Sequence, residues 1–112
     1  MTSRVAARAA QPRGENYAAS KAAVEALVRG LAAELARHAI RANAIVPGWI
    51  RSPLADPLLD ADAVREKVLP RVPMRRWGDP ADFRSAAVFL ASRASAYMTG
   101  QALVIDGGYP VF

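Results

Sequence analysis

The chain has 112 residues, no cysteine and a formal net charge of +5; this length fits one small domain, and disulfides, thiolate ligands and cysteine nucleophiles are excluded. Its single histidine is His38, so we expect no metal site, and its apolar stretches are too short to span a membrane. The basic residues are scattered, which argues against nucleic-acid binding, and the lack of cysteine fits a cytoplasmic location.

The first fourteen residues are rich in Arg and Ala and contain no acid. This composition is typical of a mitochondrial transit peptide. Because the same bias continues along the whole chain, we interpret the segment as the end of a strand followed by a loop.

The next segment predicts a helix from Asn16 to His38, since apolar residues recur on one face at intervals of three and four. That face contains Val24, Val28, Leu31 and Leu35, and Leu27 widens it. Tyr17 and Lys21 lie on the same face, one turn apart, at the N-terminal end. We therefore expect both to face the sheet against which the helix packs.

A short β-branched segment follows the helix. Ile40–Val46 predicts a strand, and Pro47-Gly48 predicts the turn that ends it. The proline-rich segment from Trp49 to Arg76 is typical of a loop. Within it, Asp60–Val68 predicts a short helix capped by Asp60 or Asp62.

The remaining elements are a helix and a strand. Asp79 is the predicted N-cap of the helix, with Pro80 at its first position. Its inner face is predicted to contain Phe83, Ala87 and Leu90. Gln101–Ile105 predicts a buried strand. Helices that alternate with short apolar strands indicate a parallel α/β sheet.

Four motifs follow one another along this pattern. They are YAASK at Tyr17–Lys21, IRANAIVPGWIRS at Ile40–Ser52, RWGDPAD at Arg76–Asp82 and TGQALVIDGG at Thr99–Gly108. In this order and spacing they resemble the short-chain dehydrogenase/reductase family over essentially the whole chain. The resemblance implies the α/β fold class: the C-terminal portion of a Rossmann-like doubly wound parallel sheet, with residues 1–112 forming part of one such domain.

The resemblance also implies an activity, the NAD(P)-dependent transfer of hydride between nicotinamide and a small carbonyl or alcohol substrate. It assigns Tyr17 as the general acid/base, and Lys21 as the residue that activates it and binds the cofactor. The chemistry is reasonable, because a phenol releases its proton reluctantly at neutral pH and a nearby ammonium stabilises the phenolate. The alternative is an aromatic residue and an extended lysine with structural roles at a helix start.

Further site residues are implied by the same resemblance. Ser3 is the candidate for the serine that polarises the substrate oxygen, although it lies one residue further from the tyrosine than is usual in the family. A one-residue insertion within Gln11–Glu15 would absorb the difference. Pro47 and Gly48 would let the backbone approach the nicotinamide. Ile50, through its backbone amide, and Ser52, through its hydroxyl, would hold the carboxamide; the alternative for Ser52 is a polar loop residue.

The substrate loop of the family corresponds to the segment after Gly48. The apolar residues of this segment are Trp49, Leu54, Leu58 and Leu59. They either bind substrate or form ordinary core, and the sequence leaves both interpretations open. No arrangement of the seven glycines matches the phosphate-binding T-G-x-x-x-G-x-G of the family. The N-terminal nucleotide-binding βαβ units are therefore absent from this sequence.

Two expectations follow from that absence. As a truncated form, arising from a misassigned start, a truncated gene or a split gene, the chain should have little activity and no detectable affinity for NAD or NADP alone. The alternative is a non-catalytic oligomerisation module derived from the family. In either case the uncovered sheet edge predicts a homo-oligomeric, aggregation-prone or partly unfolded chain.

Overall fold

The computed structural model of the chain describes residues 1–8 and 14–109. Strands β1 (Ala44–Pro47) and β2 (Ala102–Ile105) pair in parallel. On the other side of β1, Thr2 forms an isolated parallel bridge to Ile45. The predicted parallel α/β arrangement is confirmed, with β1 between the N-terminal segment and β2.

The start of β1 differs from the sequence prediction. The strand begins at Ala44, so the prediction that it begins at Ile40 is wrong. The Asn43 side chain donates to the carbonyl of Met98 at 2.9 Å and accepts from the backbone N–H of Gln101 at 3.0 Å. These bonds tie the segment before β1 to the loop before β2 and keep that segment outside the ladder.

Helix α1 spans Glu15–Leu35 and continues as a 3-10 turn over Ala36–His38, which confirms the predicted helix. Its buried residues are Glu25, Val28 and Ala32. Leu27 is 50% exposed, so the prediction that it widens the buried face is wrong. The sheet beneath α1 is narrow within the described residues and therefore covers only a narrow stripe of the helix.

The loop after β1 contains α2 (Asp56–Leu59), α3 (Asp62–Val68) and a 3-10 turn (Leu69–Arg71). The short predicted helix is confirmed as α3, but its predicted caps are wrong. Asp60 ends α2, and its backbone N–H donates to the carbonyl of Asp56 at 2.9 Å. Ala61 is the N-cap of α3, with extended backbone and no side-chain cap.

Helix α4 (Arg84–Ala91) follows a 3-10 turn over Pro80–Phe83, and another 3-10 turn covers Arg93–Ser95. Asp79 is the N-cap, as predicted: its carboxylate accepts from the backbone of Ala81 at 2.8 Å. Asp82 completes a capping box by accepting from the backbone of Asp79 at 2.8 Å, and it pairs with Arg76 at 2.7 Å. The Arg76 hydrogen bond, aided by the Asp79 backbone, lowers the pKa of Asp82 to about 2.

Two burial predictions in this region are wrong. Every residue of β2 is only half-buried, although a buried strand was predicted. Phe83, in the 3-10 turn before α4, and Leu90 on α4 are half-buried, but Ala87 is exposed. Neighbouring Val88 is 68% exposed. Both surfaces stay accessible because no second layer covers them in the described structure.

An aromatic core joins the chain ends to the loop after β1. Val5, in a 3-10 turn over residues 5–7, is buried with Val72 and Tyr109. Trp49 packs against this cluster, with its ring 6.1 Å from that of Tyr109 and 6.3 Å from that of Trp77. Each edge-to-face or tilted pair stabilises the fold by about 0.5–1.5 kcal/mol beyond the contribution of the apolar area that it buries. Within the described ranges, every helix is too short or too polar to cross a bilayer.

Candidate active site

The strands leave the sheet at a common edge, which we call the carboxyl edge. The N-terminal segment continues beyond Ser3, β1 continues beyond Pro47, and β2 continues into Asp106. A Cβ atom at Gly48 would lie 2.6 Å from the Asp106 Cα atom, so the two segments approach as closely as only glycine permits. In parallel sheets, ligands bind outside this edge.

The first two turns of α1 contain the predicted Tyr17–Lys21 pair. The Nζ atom of Lys21 lies 5.6 Å from the centre of the Tyr17 ring, within the range of a cation–π interaction. Tyr17 is 43% exposed, whereas Lys21 is half-buried. The aromatic ring is therefore open to an incoming molecule while the lysine is partly held against the protein.

Ser3 is buried beneath α1. Its hydroxyl is 2.9 Å from the Lys21 carbonyl oxygen and 3.1 Å from Glu25 Oε1, and its single proton is shared between these two acceptors. The backbone N–H of Ser3 donates to Ile45 at 2.9 Å. These contacts bring Ser3 next to the backbone of the Tyr17–Lys21 turn, and its role toward a substrate stays a prediction. Most of the proposed loop insertion, residues 11–13, lies outside the described residues.

Glu25 is a buried carboxylate that the sequence analysis missed. Arg8 donates to it from Nη2 at 2.8 Å and from Nε at 3.2 Å. The Arg8 hydrogen bond lowers the pKa of Glu25, burial opposes this, and the Ser3 hydrogen bond adds to the lowering. A signal was present in the sequence: Glu25 lies one turn after Lys21 on an otherwise apolar face, where a carboxylate requires a partner.

The residues after Gly48 form a turn and a short ladder. Ile50 makes a parallel bridge with Gly78. The Ser52 hydroxyl accepts from the backbone N–H of Ala55 at 3.1 Å. Ser52 thus supports the turn that leads into α2, which agrees with the loop-residue interpretation and leaves its own O–H proton available to a ligand.

A cavity of about 240 Å³ lies at the carboxyl edge, lined in part by Trp49, Arg76, Phe83 and Asp106. Within residues 1–8 and 14–109, the indole Nε1 of Trp49 and Oδ2 of Asp106 are buried without a hydrogen-bond partner. The other apolar residues of the predicted substrate loop differ in exposure: Leu59 is buried, whereas Leu54 is 94% and Leu58 is 52% exposed. Leu59 is therefore core, whereas Trp49 both packs against the aromatic core and lines the cavity.

Comparison with known proteins places this geometry in a family. The family model described as enoyl-(acyl carrier protein) reductase matches residues 1–110. The 5-keto-D-gluconate 5-reductase of Escherichia coli K12 is 46% identical over 92 residues, which are 82% of this chain and 36% of that protein. A short-chain type dehydrogenase/reductase from Mycobacterium marinum superposes with a TM-score of 0.88 at 40% identity, covering 97% of this chain and 42% of that chain. The chain belongs to the short-chain dehydrogenase/reductase family.

A further solved structure is similar over nearly the whole chain. The structure of a gluconate 5-dehydrogenase from Burkholderia cenocepacia J2315, in complex with NADP and tartrate, superposes with a TM-score of 0.94 at 38% identity. The match covers 99% of this chain and 44% of that one. The chain thus spans less than half the length of the relatives it matches. The prediction that it corresponds to the C-terminal half of a short-chain dehydrogenase/reductase is confirmed.

Proposed function

We propose that the chain supplies the catalytic end of an NAD(P)-dependent oxidoreductase acting on a small carbonyl or alcohol substrate. One observation carries this proposal: the Lys21 ammonium lies over the Tyr17 ring in the first two turns of α1. Because Tyr17 remains 43% exposed, its hydroxyl can reach a substrate oxygen. On this proposal residues 1–112 form the catalytic and substrate-loop part of one short-chain dehydrogenase/reductase domain.

Proton transfer is the task of this chain's own residues. Tyr17 gives a proton to the carbonyl oxygen during reduction and removes it during oxidation, as a general acid/base. Lys21 places its positive charge 5.6 Å from the centre of the Tyr17 ring. Ser3 is the proposed group that polarises the substrate oxygen. In the absence of ligand its single O–H proton is shared between the Lys21 carbonyl and the Glu25 carboxylate, so this role requires the proton to turn from both toward the substrate oxygen.

The residues present fit the nicotinamide end of a cofactor. Gly48 lets this turn pack directly against Asp106, and the cavity beside it is lined by Trp49 and Asp106. Among the described residues, Trp49 Nε1 and Asp106 Oδ2 are buried without a hydrogen-bond partner and are available to a polar substituent of the ring. Pro47 and Gly48 would line the ring, the Ile50 amide and Ser52 hydroxyl would hold its carboxamide, and Lys21 would bind its ribose. A bound nicotinamide supplies or accepts the hydride. The chain has no glycine-rich phosphate loop, so we expect little activity from the chain alone.

A chimera tests the chemistry. Residues 1–112 replace the matching segment of the Escherichia coli 5-keto-D-gluconate 5-reductase, which contributes the remaining part of the domain. We expect reduction of 5-keto-D-gluconate with NADPH or NADH, followed at the absorbance of the reduced cofactor. A folded, cofactor-binding chimera without turnover would reject the proposal.

The isolated chain provides the second test. NADH and NADPH are titrated into it while the fluorescence of Trp49 and Trp77 is recorded. We expect no saturation below about 1 mM, because that affinity already corresponds to about 4 kcal/mol of binding. Saturation at lower concentration would show that the chain holds the cofactor by itself and would reject the expected low activity.

A second candidate function, an oligomerisation module, is favoured by the exposed apolar surface of α4. Val88 is 68% and Phe89 is 40% exposed, and β2 is only half-buried. A second copy that covers this surface would give a homo-oligomer, in the cytoplasmic location that we propose for the protein. Analytical ultracentrifugation distinguishes the outcomes: a monodisperse, cooperatively unfolding monomer would reject self-association.

A further inference from the structure

Arg4 occupies the carboxyl edge beside the end of β1. It directly follows the segment that pairs with β1 through Thr2, and its backbone is extended, with φ −161° and ψ 154°. Successive side chains of extended backbone point to opposite sides. Because the Ser3 hydroxyl points to α1, where it donates to Lys21, the Arg4 side chain points away from α1.

The Arg4 side chain lies against the ring of Trp49. Its Cζ atom lies 5.5 Å from the centre of the Trp49 ring, within cation–π range. Trp49 immediately follows Gly48 and lines the cavity at the carboxyl edge. The guanidinium therefore lies at the same edge as the proposed nicotinamide-binding turn, on the side opposite to the Ser3 hydroxyl.

Among the residues that the structure describes, no carboxylate forms an ion pair with Arg4. The ion pairs of the described residues use Arg8, Arg51 and Arg76, and none involves Arg4. The acid at this edge, Asp106, accepts from the backbone N–H of Gly108 and is not paired with Arg4. A guanidinium held over an aromatic face still presents N–H groups in its own plane, in the fork that matches a carboxylate.

We propose that Arg4 is a specificity-determining residue that binds a carboxylate group of the substrate, so that the substrate is a keto acid or hydroxy acid. This inference rests on the proposed function, since it assigns the substrate class of the same site. Trp49 holds the guanidinium in place from one side, and the carboxylate binds its N–H edge. The carbonyl or alcohol carbon of the same molecule would then lie across the carboxyl edge from Arg4, on the side of α1 and Tyr17.

A pair of sugars that differ in one group tests the proposal on the isolated chain. 5-Keto-D-gluconate has a carboxylate where L-sorbose has an uncharged CH₂OH group. Both are titrated at constant ionic strength into a Trp77→Phe variant, in which Trp49 is the only tryptophan, and into the unmodified chain by calorimetry. We expect 5-keto-D-gluconate to bind at least about tenfold more tightly, as for a hydrogen bond between charged groups.

Substitutions then test whether Arg4 is the residue that causes the preference for the carboxylate. Arg4→Gln should reduce the affinity for 5-keto-D-gluconate by about tenfold and leave that for L-sorbose unchanged. Arg71→Gln is the matched control, because Arg71 also lies over an aromatic ring, 4.9 Å from that of Tyr109. Equal affinity for both sugars, no saturation by the keto acid below about 50 mM, or an unchanged preference in Arg4→Gln would overturn the proposal.

The two proposals fail separately. If the chimera does not transfer hydride but the isolated chain prefers the keto acid through Arg4, the oxidoreductase proposal fails and acid recognition stands. If the chimera transfers hydride but the isolated chain shows no such preference, the role of Arg4 fails and the oxidoreductase proposal stands.

Discussion

Arg8 and Glu25 connect the N-terminal segment to the middle of α1 through a salt bridge of 2.8 Å. The Glu25 side chain is 10% exposed, and Ser3 donates to the same carboxylate. Through this pair, Ser3 is held against the carbonyl of Lys21. The position of Ser3 relative to Lys21 therefore depends on the Arg8–Glu25 ion pair, in which neither of these two residues takes part.

The first prediction concerns the pH dependence of this ion pair. Arg8 lowers the pKa of Glu25 in the folded chain, so the carboxylate stabilises the fold above its unfolded pKa of about 4.3, and this contribution disappears as the pH falls through the lower folded pKa. Glu25→Gln should reduce the free energy of unfolding by about 1–3 kcal/mol at pH 7. The difference from the unmodified chain should shrink below about pH 4. Urea unfolding between pH 7 and pH 3 measures it.

Glu34→Gln is the control for that measurement. Glu34 is on the same helix but is exposed, so its substitution should change the free energy of unfolding by less than about 0.5 kcal/mol. An equal loss in both variants, or a Glu25→Gln deficit that is independent of pH, would contradict the role of the ion pair.

The second prediction concerns Arg41, whose guanidinium closes the end of α4. It donates to the carbonyls of Leu90, Ser92, Ser95 and Met98, at 2.7–3.3 Å, and to the Ser95 hydroxyl at 2.9 Å. A lysine cannot reach these acceptors together, because it lacks the planar fork. Arg41→Lys should therefore cost about 1–3 kcal/mol of unfolding free energy, measured by urea. Arg93→Lys, at an exposed position nearby, should be neutral.

The third prediction uses two glycines with opposite surroundings. A Cβ atom at Gly48 would collide with the Asp106 Cα atom at 2.6 Å, whereas one at Gly30 would meet no atom within 4 Å apart from the adjacent residues and the backbone of its own helix. Gly48→Ala should destabilise the chain by about 1–3 kcal/mol. Gly30→Ala, in the middle of α1, should stabilise it by up to about 1 kcal/mol. Thermal unfolding followed by circular dichroism gives both signs, and a neutral Gly48→Ala would show that the two segments separate easily.

The fourth prediction concerns turnover by the chimera. Tyr17→Phe should lower kcat by about 10²- to 10⁴-fold, because it removes the proton donor and leaves the ring. Tyr97→Phe removes a hydroxyl from a fully exposed tyrosine and should leave kcat unchanged. Lys21→Met should also lower kcat, because it removes the ammonium beside the Tyr17 ring. If Tyr17→Phe retained full activity, another group would have to transfer the proton.

Elements with local signals were predicted correctly from the sequence. The periodicity of α1 and the Asp79 cap of the following helix depend on residues within a few positions of each other, so neighbouring residues determine them. The parallel pairing of β1 with β2 was predicted from the alternation of helices and strands. The motifs from Tyr17 to Gly108 were sufficient for the family, because their order and spacing are properties of the sequence itself.

Other features depend on which segments pack together, and only the tertiary structure decides them. Leu27 is as apolar as its neighbours, yet it is exposed because the sheet beneath α1 is narrow in the described structure. Ser3 and Arg4 are adjacent in the sequence, but extended backbone sends one side chain to α1 and the other to Trp49. The sequence determined which groups are available for chemistry. The packing of the N-terminal segment against β1 and α1 decided which of them face α1 and which face Trp49. The physical reason is that successive side chains of extended backbone point to opposite sides, so once one side packs on the helix the next residue must point away from it.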